Sequence, residues 1–135
     1  MKENLMKNRQ SERGSAGAKM VGVLVVLFLI GHALVNYVPV AYSGASFKED
    51  MQTAVVQGSA LPGSGNPLGV TQVKIKHSAD ANNVPQDAVI EVKPITGGLQ
   101  AHAMYSKKVN ILPFGLFTYN YKFDYTATPI GFLMK

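Results

Sequence analysis

The chain contains no cysteine and no tryptophan. Without cysteine it has no disulfide framework, no thiolate nucleophile and no Cys-ligated metal. Charge is scarce too: 16% of the 135 residues are charged and 47% are hydrophobic, a low charge fraction for a soluble domain. Phosphate-binding signatures are missing, since Gly63-Ser64-Gly65 is not followed by the Gly-Lys-Ser/Thr of a Walker loop. No serine lies in a nucleophile elbow. The histidines are His32, His77 and His102, and none has a second His at metal-ligand spacing. A site built from His77, His102 and Asp80 or Glu91 is left open by composition, but isolated exposed histidines are the plainer reading. The expectation is a non-enzymatic protein without metal or cofactor.

What is present begins with an uneven distribution of charge. The formal net charge is +5, which first suggests a polyanionic partner. Before Met20, however, five basic residues (Lys2, Lys7, Arg9, Arg13, Lys19) stand against Glu3 and Glu12. The remainder is nearly balanced, and Lys74/Lys76 and Lys107-Lys108 lie among acidic residues. That pattern is no nucleic-acid footprint, and no nucleic-acid partner is expected. Residues 1–18 read as a basic, disordered cytoplasmic tail.

Residues 20–38, MVGVLVVLFLIGHALVNYV, carry no charge. As a helix they extend roughly 28 Å, close to the hydrocarbon thickness of a bilayer. We read residues 19–39 as a transmembrane helix. The basic flank places the N-terminus in the cytoplasm and the rest outside. Tyr37 and Tyr42 fall near the outer headgroup level, where amphipathic rings are favoured. A signal peptide cleaved near Ser43-Gly44-Ala45 is the rival reading, but the apolar stretch is long for one and the small residues come late.

Within the span, Gly22, Leu29 and Asn36 recur every seven residues, and His32 shares a face with Asn36. This is a candidate helix–helix seam, for a second copy or another membrane protein. The alternative is that His32 and Asn36 reach water or headgroups at the interface.

Beyond the span, Pro39 predicts a kink or an end to the helix. Ser46 and Glu49 have capping-box spacing. Phe47, Met51, Ala54 and Val55 then form an apolar stripe, so residues 40–60 read as a juxtamembrane amphipathic helix ending near Gly58. Residues 61–69 (LPGSGNPLG) read as a loop. Residues 70–84 match a short helix or a strand; the helical face of Val70, Val73, His77 and Ala81 is preferred, with a stop at Asn83-Val84-Pro85.

Alternation takes over after that stop. Ala88, Ile90 and Val92 define one strand. A turn at Thr96-Gly97-Gly98 leads to a second with Leu99, Ala101, Ala103, Tyr105, Val109 and Ile111 on one face. Pro113-Phe114-Gly115 makes the next turn. Phe117, Tyr119, Tyr121, Phe123 and Tyr125 then alternate with polar residues. The expected fold class is α+β: an N-terminal transmembrane helix, then one or two short helices packed on a three-stranded antiparallel meander, with residues 61–135 as a small extracytoplasmic domain. The five aromatics are expected to face the helices. Ile130, Phe132, Leu133 and Met134 form an apolar tail that is a candidate partner contact.

These features resemble a family of small bacterial single-pass inner-membrane proteins of unknown function, over residues 18 to 129. The likeness is carried by the anchor running into Val38-Pro39-Val40-Ala41-Tyr42, the helix over 47–54 and the Asn83-Val84-Pro85 stop. The Gly97-Gly98 turn, the Tyr105 strand and the Leu112-Pro113-Phe114-Gly115 turn complete it. The resemblance implies an extracytoplasmic α+β domain on the bacterial inner membrane and no activity. Type IV pilins share the outline of basic leader, apolar helix and small head, but their peptidase-site Gly-Phe-Thr-Leu and early helix Glu are absent here. The expected role is a membrane-anchored interaction or accessory subunit, with the lipid bilayer and a membrane-protein partner or second copy as contacts. Pilin-like assembly and a tethered ligand-binding or catalytic domain are the alternatives.

Overall fold

The computed structural model describes residues 11–60 and 65–129. Helix α1 (Ser11–Ala60) is followed by helix α2 (Pro67–Ala81) and strands β1 (Val89–Ile95), β2 (Gly98–Asn110) and β3 (Thr118–Ala127). The strands form one antiparallel sheet in the order β1-β2-β3. The α+β class and the meander are as expected; the ambiguous stretch is a helix, but it buries Thr71, Ile75 and Ala79, and the expected face of Val70, Val73, His77 and Ala81 is exposed.

Three local expectations differ from the structure, each for its own physical reason. Of the kink or end expected at Pro39, the end is absent: Pro39 lies inside α1, which does not restart at Ser46. The segments 19–39 and 40–60 are therefore one helix. A proline removes one hydrogen bond from a helix, but packing overrides such a local cost when the chain on both sides is held. Ala41, Gly44, Phe47, Met51 and Val55 are half-buried or buried after Pro39, and His32, Ala33 and Asn36 are half-buried before it. Residues 11–18, the described part of the expected tail, are helical; once a helix is nucleated, each added residue costs little. Finally, α2 takes Pro67, Leu68 and Gly69 from the expected loop. Asn66 caps it, accepting from the Gly69 N–H at 2.9 Å, and Pro67 occupies the first turn, where its missing N–H is harmless.

The core lies between the C-terminal half of α1, α2 and one face of the sheet. Phe47, Met51, Ala54 and Val55 from α1 meet Ile75 and Ala79 from α2 and Ala101, Ala103, Tyr105, Phe123 and Ala127 from the sheet. The alanines on β2 let the helix backbone come close. The Phe47 ring packs 5.6 Å from Phe123, and Tyr105 stacks on Phe123 at 4.8 Å. The stop at Asn83 works through its left-handed backbone (φ 55°), a conformation asparagine tolerates.

The aromatic row of β3 is covered only in part. Phe123 is buried and Tyr121 and Tyr125 are half-buried, but Phe117 and Tyr119 are 54% and 45% exposed. Their end of the sheet runs alongside α1 alone, beyond α2. One helix about 10–12 Å wide shields only part of a sheet face.

Polar side chains bind the elements to α1. Gln52 donates to the Thr128 carbonyl (2.8 Å) and accepts from the Tyr125 hydroxyl (3.0 Å). Ser59 accepts from the Leu99 N–H at 3.0 Å. Asp50 accepts from Ser78 and Asn82 on α2.

Phe123→Ala is expected to lower unfolding stability by about 3–5 kcal/mol, read from a denaturant melt. Burial, and secondarily Tyr121, pushes the Tyr105 phenol from 10.0 up to about 12. The folded state thus holds this proton more tightly than the unfolded chain. Its stabilisation is intact below pH 10.0 and is lost as pH rises towards about 12. Melts across that window should fall less steeply for Tyr105→Phe than for the parent.

Candidate functional site

The apolar run gives α1 two different halves. The most apolar window of the helix, long enough to cross a membrane, has none of its residues buried. Val21, Leu24, Val25, Leu27, Phe28 and Ile30 are all more than half exposed. From Leu29 onward, one stripe (Leu29, His32, Ala33, Asn36, Val40) becomes half-buried and continues into the core stripe of Gly44, Phe47 and Met51.

The β2–β3 hairpin covers this stripe. The β2 strand starts at Ser59, where Leu99 is bonded, and Ile111 just past its end meets His32, whose Nδ1 lies 3.1 Å from the Ile111 carbonyl oxygen. Residues 59 back to 32 of the helix span ~40 Å, and residues 99 to 111 of the strand span ~40 Å. Helix and strand therefore run side by side in opposite directions with matched lengths. Asn36 Nδ2 donates to the His32 carbonyl at 2.8 Å and lies 3.3 Å from His32 Nδ1. With Nδ1 protonated, the imidazole donates to Ile111.

Higher on the junction, the Tyr37 ring packs edge-on against Tyr119 at 6.1 Å and Tyr121 at 6.4 Å. Gly44 is buried against the Tyr121 hydroxyl and ring, where any Cβ would collide. Burial, then the neighbouring phenols of Tyr37 and Tyr119, raises the Tyr121 pKa above its ordinary value.

Of the residues proposed for a helix seam, His32 meets this chain's own hairpin and Asn36 bonds to His32, while Leu29 is half-buried on the same face. Gly22 is exposed, with open space where a side chain would project. The partner of His32 is 79 positions away, and no local spacing could have pointed to it. The tail residues Ile130, Phe132, Leu133 and Met134 lie outside the described residues.

His77 and His102 are not brought together. His77 and Asp80 are exposed on α2, which packs on the apolar face of the sheet, while His102 lies on the other face. There His102 Nε2 is 2.7 Å from Asp124 and its backbone is paired with Glu91. Lys93, 2.9 Å from Glu91, lowers that carboxyl's pKa by hydrogen bonding and charge. Among the described residues no three His, Asp or Glu side chains are grouped to hold a metal. A shallow groove of about 470 Å³ runs beside β3, lined by Ala45, Gln52, Val56 and Tyr125, with the Lys48 ammonium 4.8 Å above the Tyr125 ring.

No family model, curated protein or solved structure matches the chain.

His32→Leu removes the donor to Ile111. Backbone amides of residues 109–117 should exchange with deuterium faster by the equivalent of about 0.5–1.5 kcal/mol, with core amides of α2 unchanged.

Proposed function

We propose that the protein is a non-enzymatic, membrane-anchored accessory subunit that holds a small extracytoplasmic domain at a fixed height and orientation. One observation carries the reading: an exposed apolar helix passes without a linker into the helix around which the domain is built. A flexible stalk suits a domain that searches for its ligand. A rigid stalk suits one that presents a surface in register with neighbours in the membrane. The basic flank favours a cytoplasmic N-terminus, and the family resemblance supplies the bacterial inner membrane as the setting. The β3 edge with its groove, and Gly22 on the bare helix face, are the contacts this role would use.

A second reading is pilin-like homo-assembly, favoured by a long helix whose apolar half is unpartnered while its other half packs on an antiparallel sheet. Since the chain has no cysteine, single substitutions separate the two. Gly22→Cys should cross-link to a different membrane protein if the chain is an accessory subunit, and to a second copy if it assembles with itself. Purification in mild detergent that preserves other complexes should recover a stoichiometric membrane partner. Recovery of the monomer alone would contradict the proposal. Protease added to intact spheroplasts should cut the C-terminal domain; full protection would contradict the orientation.

A further inference from the structure

The β2–β3 hairpin ends in a feature that the core does not use. Between Lys108 and Lys122, residues 109–121 (VNILPFGLFTYNY) contain no charge. The tip is apolar and uncovered: Phe114 is 98% exposed, Leu116 75% and Phe117 54%. Phe114 also has a left-handed backbone (φ 62°). A bulky residue is seldom found there, and the conformation is strained. Glycine would relieve that strain, so folding alone does not account for a phenylalanine ring held outward.

The height of the tip identifies what surrounds it. The His32–Ile111 bond aligns the base of the tip with a residue six positions inside the apolar run, ~9 Å below its end at Val38. Residues 112–116 come after β2, which is heading towards the N-terminal, bare part of α1. Going the other way, Lys107 and Lys108 pair with Tyr121 and Asn120, and Ser106 pairs with Lys122. These three lysines lie on adjacent rungs, starting ~10 Å above Ile111. The apolar run of the helix and the uncharged run of the hairpin thus end within a few ångströms of the same level. Tyr37, Tyr119 and Tyr121 cluster there. Aromatic rings and lysines above an apolar segment are the usual arrangement at the headgroup boundary.

We propose that the hairpin tip, residues 111–117, inserts into the bilayer leaflet that receives the C-terminal end of the apolar run. Phe114, Leu116 and Phe117 enter the acyl chains beside α1, and the exposed Lys108 and Lys122 meet the phosphate groups, while Lys107 donates to the Asn83 carbonyl at 3.2 Å. Within the membrane the Ile111 carbonyl needs a donor, because an unpaired polar group is costly there; His32 supplies it. The domain then has two points of attachment, helix and hairpin, which prevents it from rotating about the helix axis. This inference rests on the anchor reading above.

The chain has no tryptophan, so one introduced indole reports alone. Full-length Phe114→Trp and Leu116→Trp are reconstituted in phosphatidylcholine vesicles with brominated acyl chains. Leu27→Trp in the apolar run and Val73→Trp on the exposed side of α2 are the references. The expected result is blue-shifted emission and bromine quenching at 114 and 116 comparable to that at 27, with no quenching at 73. Emission at 114 and 116 resembling that at 73 would overturn the insertion while leaving the anchor intact. Blue-shifted but unquenched emission there would overturn it in favour of a protein contact. Absence of quenching at 27 would overturn the anchor reading and the insertion together.

Discussion

Proline at position 39 deletes one hydrogen bond of α1, and the stripe that packs on the hairpin and sheet holds the helix together across the gap. Below the proline the stripe is Leu29, His32 and Asn36; above it is Gly44, Phe47, Met51 and Val55. Burial of Phe47, Met51 and Val55, at about 1.5–3 kcal/mol per side chain, together outweighs the roughly 3 kcal/mol that a proline costs inside a helix. The rest of the architecture follows from that continuity. Ser59, Gln52, Asp50 and His32 are all on α1, and each fastens a different part of the domain. Their relative positions are set by one rigid rod.

The two glycine-dependent approaches show how close this packing is. Gly44 leaves room for the Tyr121 ring, and Gly58 for Thr71 and Leu99. The first brings the sheet against the helix near the tyrosine cluster. The second brings in α2 and the start of β2 at the far end. From Leu99 near Ser59 to Ile111 at His32, the strand runs beside the helix. The tip therefore reaches His32 because of the helix–sheet alignment, not because of any special feature of the turn.

Much of this was legible in the sequence. Period-2 alternation placed Ala101, Ala103, Tyr105 and Phe123 on the covered face, and the stripe of Phe47, Met51, Ala54 and Val55 marked the helix above them. These readings succeeded because burial imposes its period directly on the residues. The misreadings have two causes. Pro39, Ser46 and Pro67 read locally as punctuation, whereas tertiary packing carries the helix through the first two and capping by Asn66 starts α2 at the third. Exposure of Phe117 and Tyr119 depends on how much of the β3 end of the sheet α1 alone can shield, which alternation cannot reveal. His32 and Asn36 stood out as polar residues in an apolar run, but their partner became visible only once the hairpin was laid against the helix.

The central claim is that the apolar run and the domain form one rigid body through Pro39. Spin labels at Val26→Cys and Thr53→Cys, both exposed positions on α1, test it by pulsed dipolar spectroscopy on the full chain in bilayers. A continuous helix predicts a single narrow distance near ~40 Å for these 27 residues. A broad distribution, or one centred well below that length, would show a hinge at Pro39 and contradict the account.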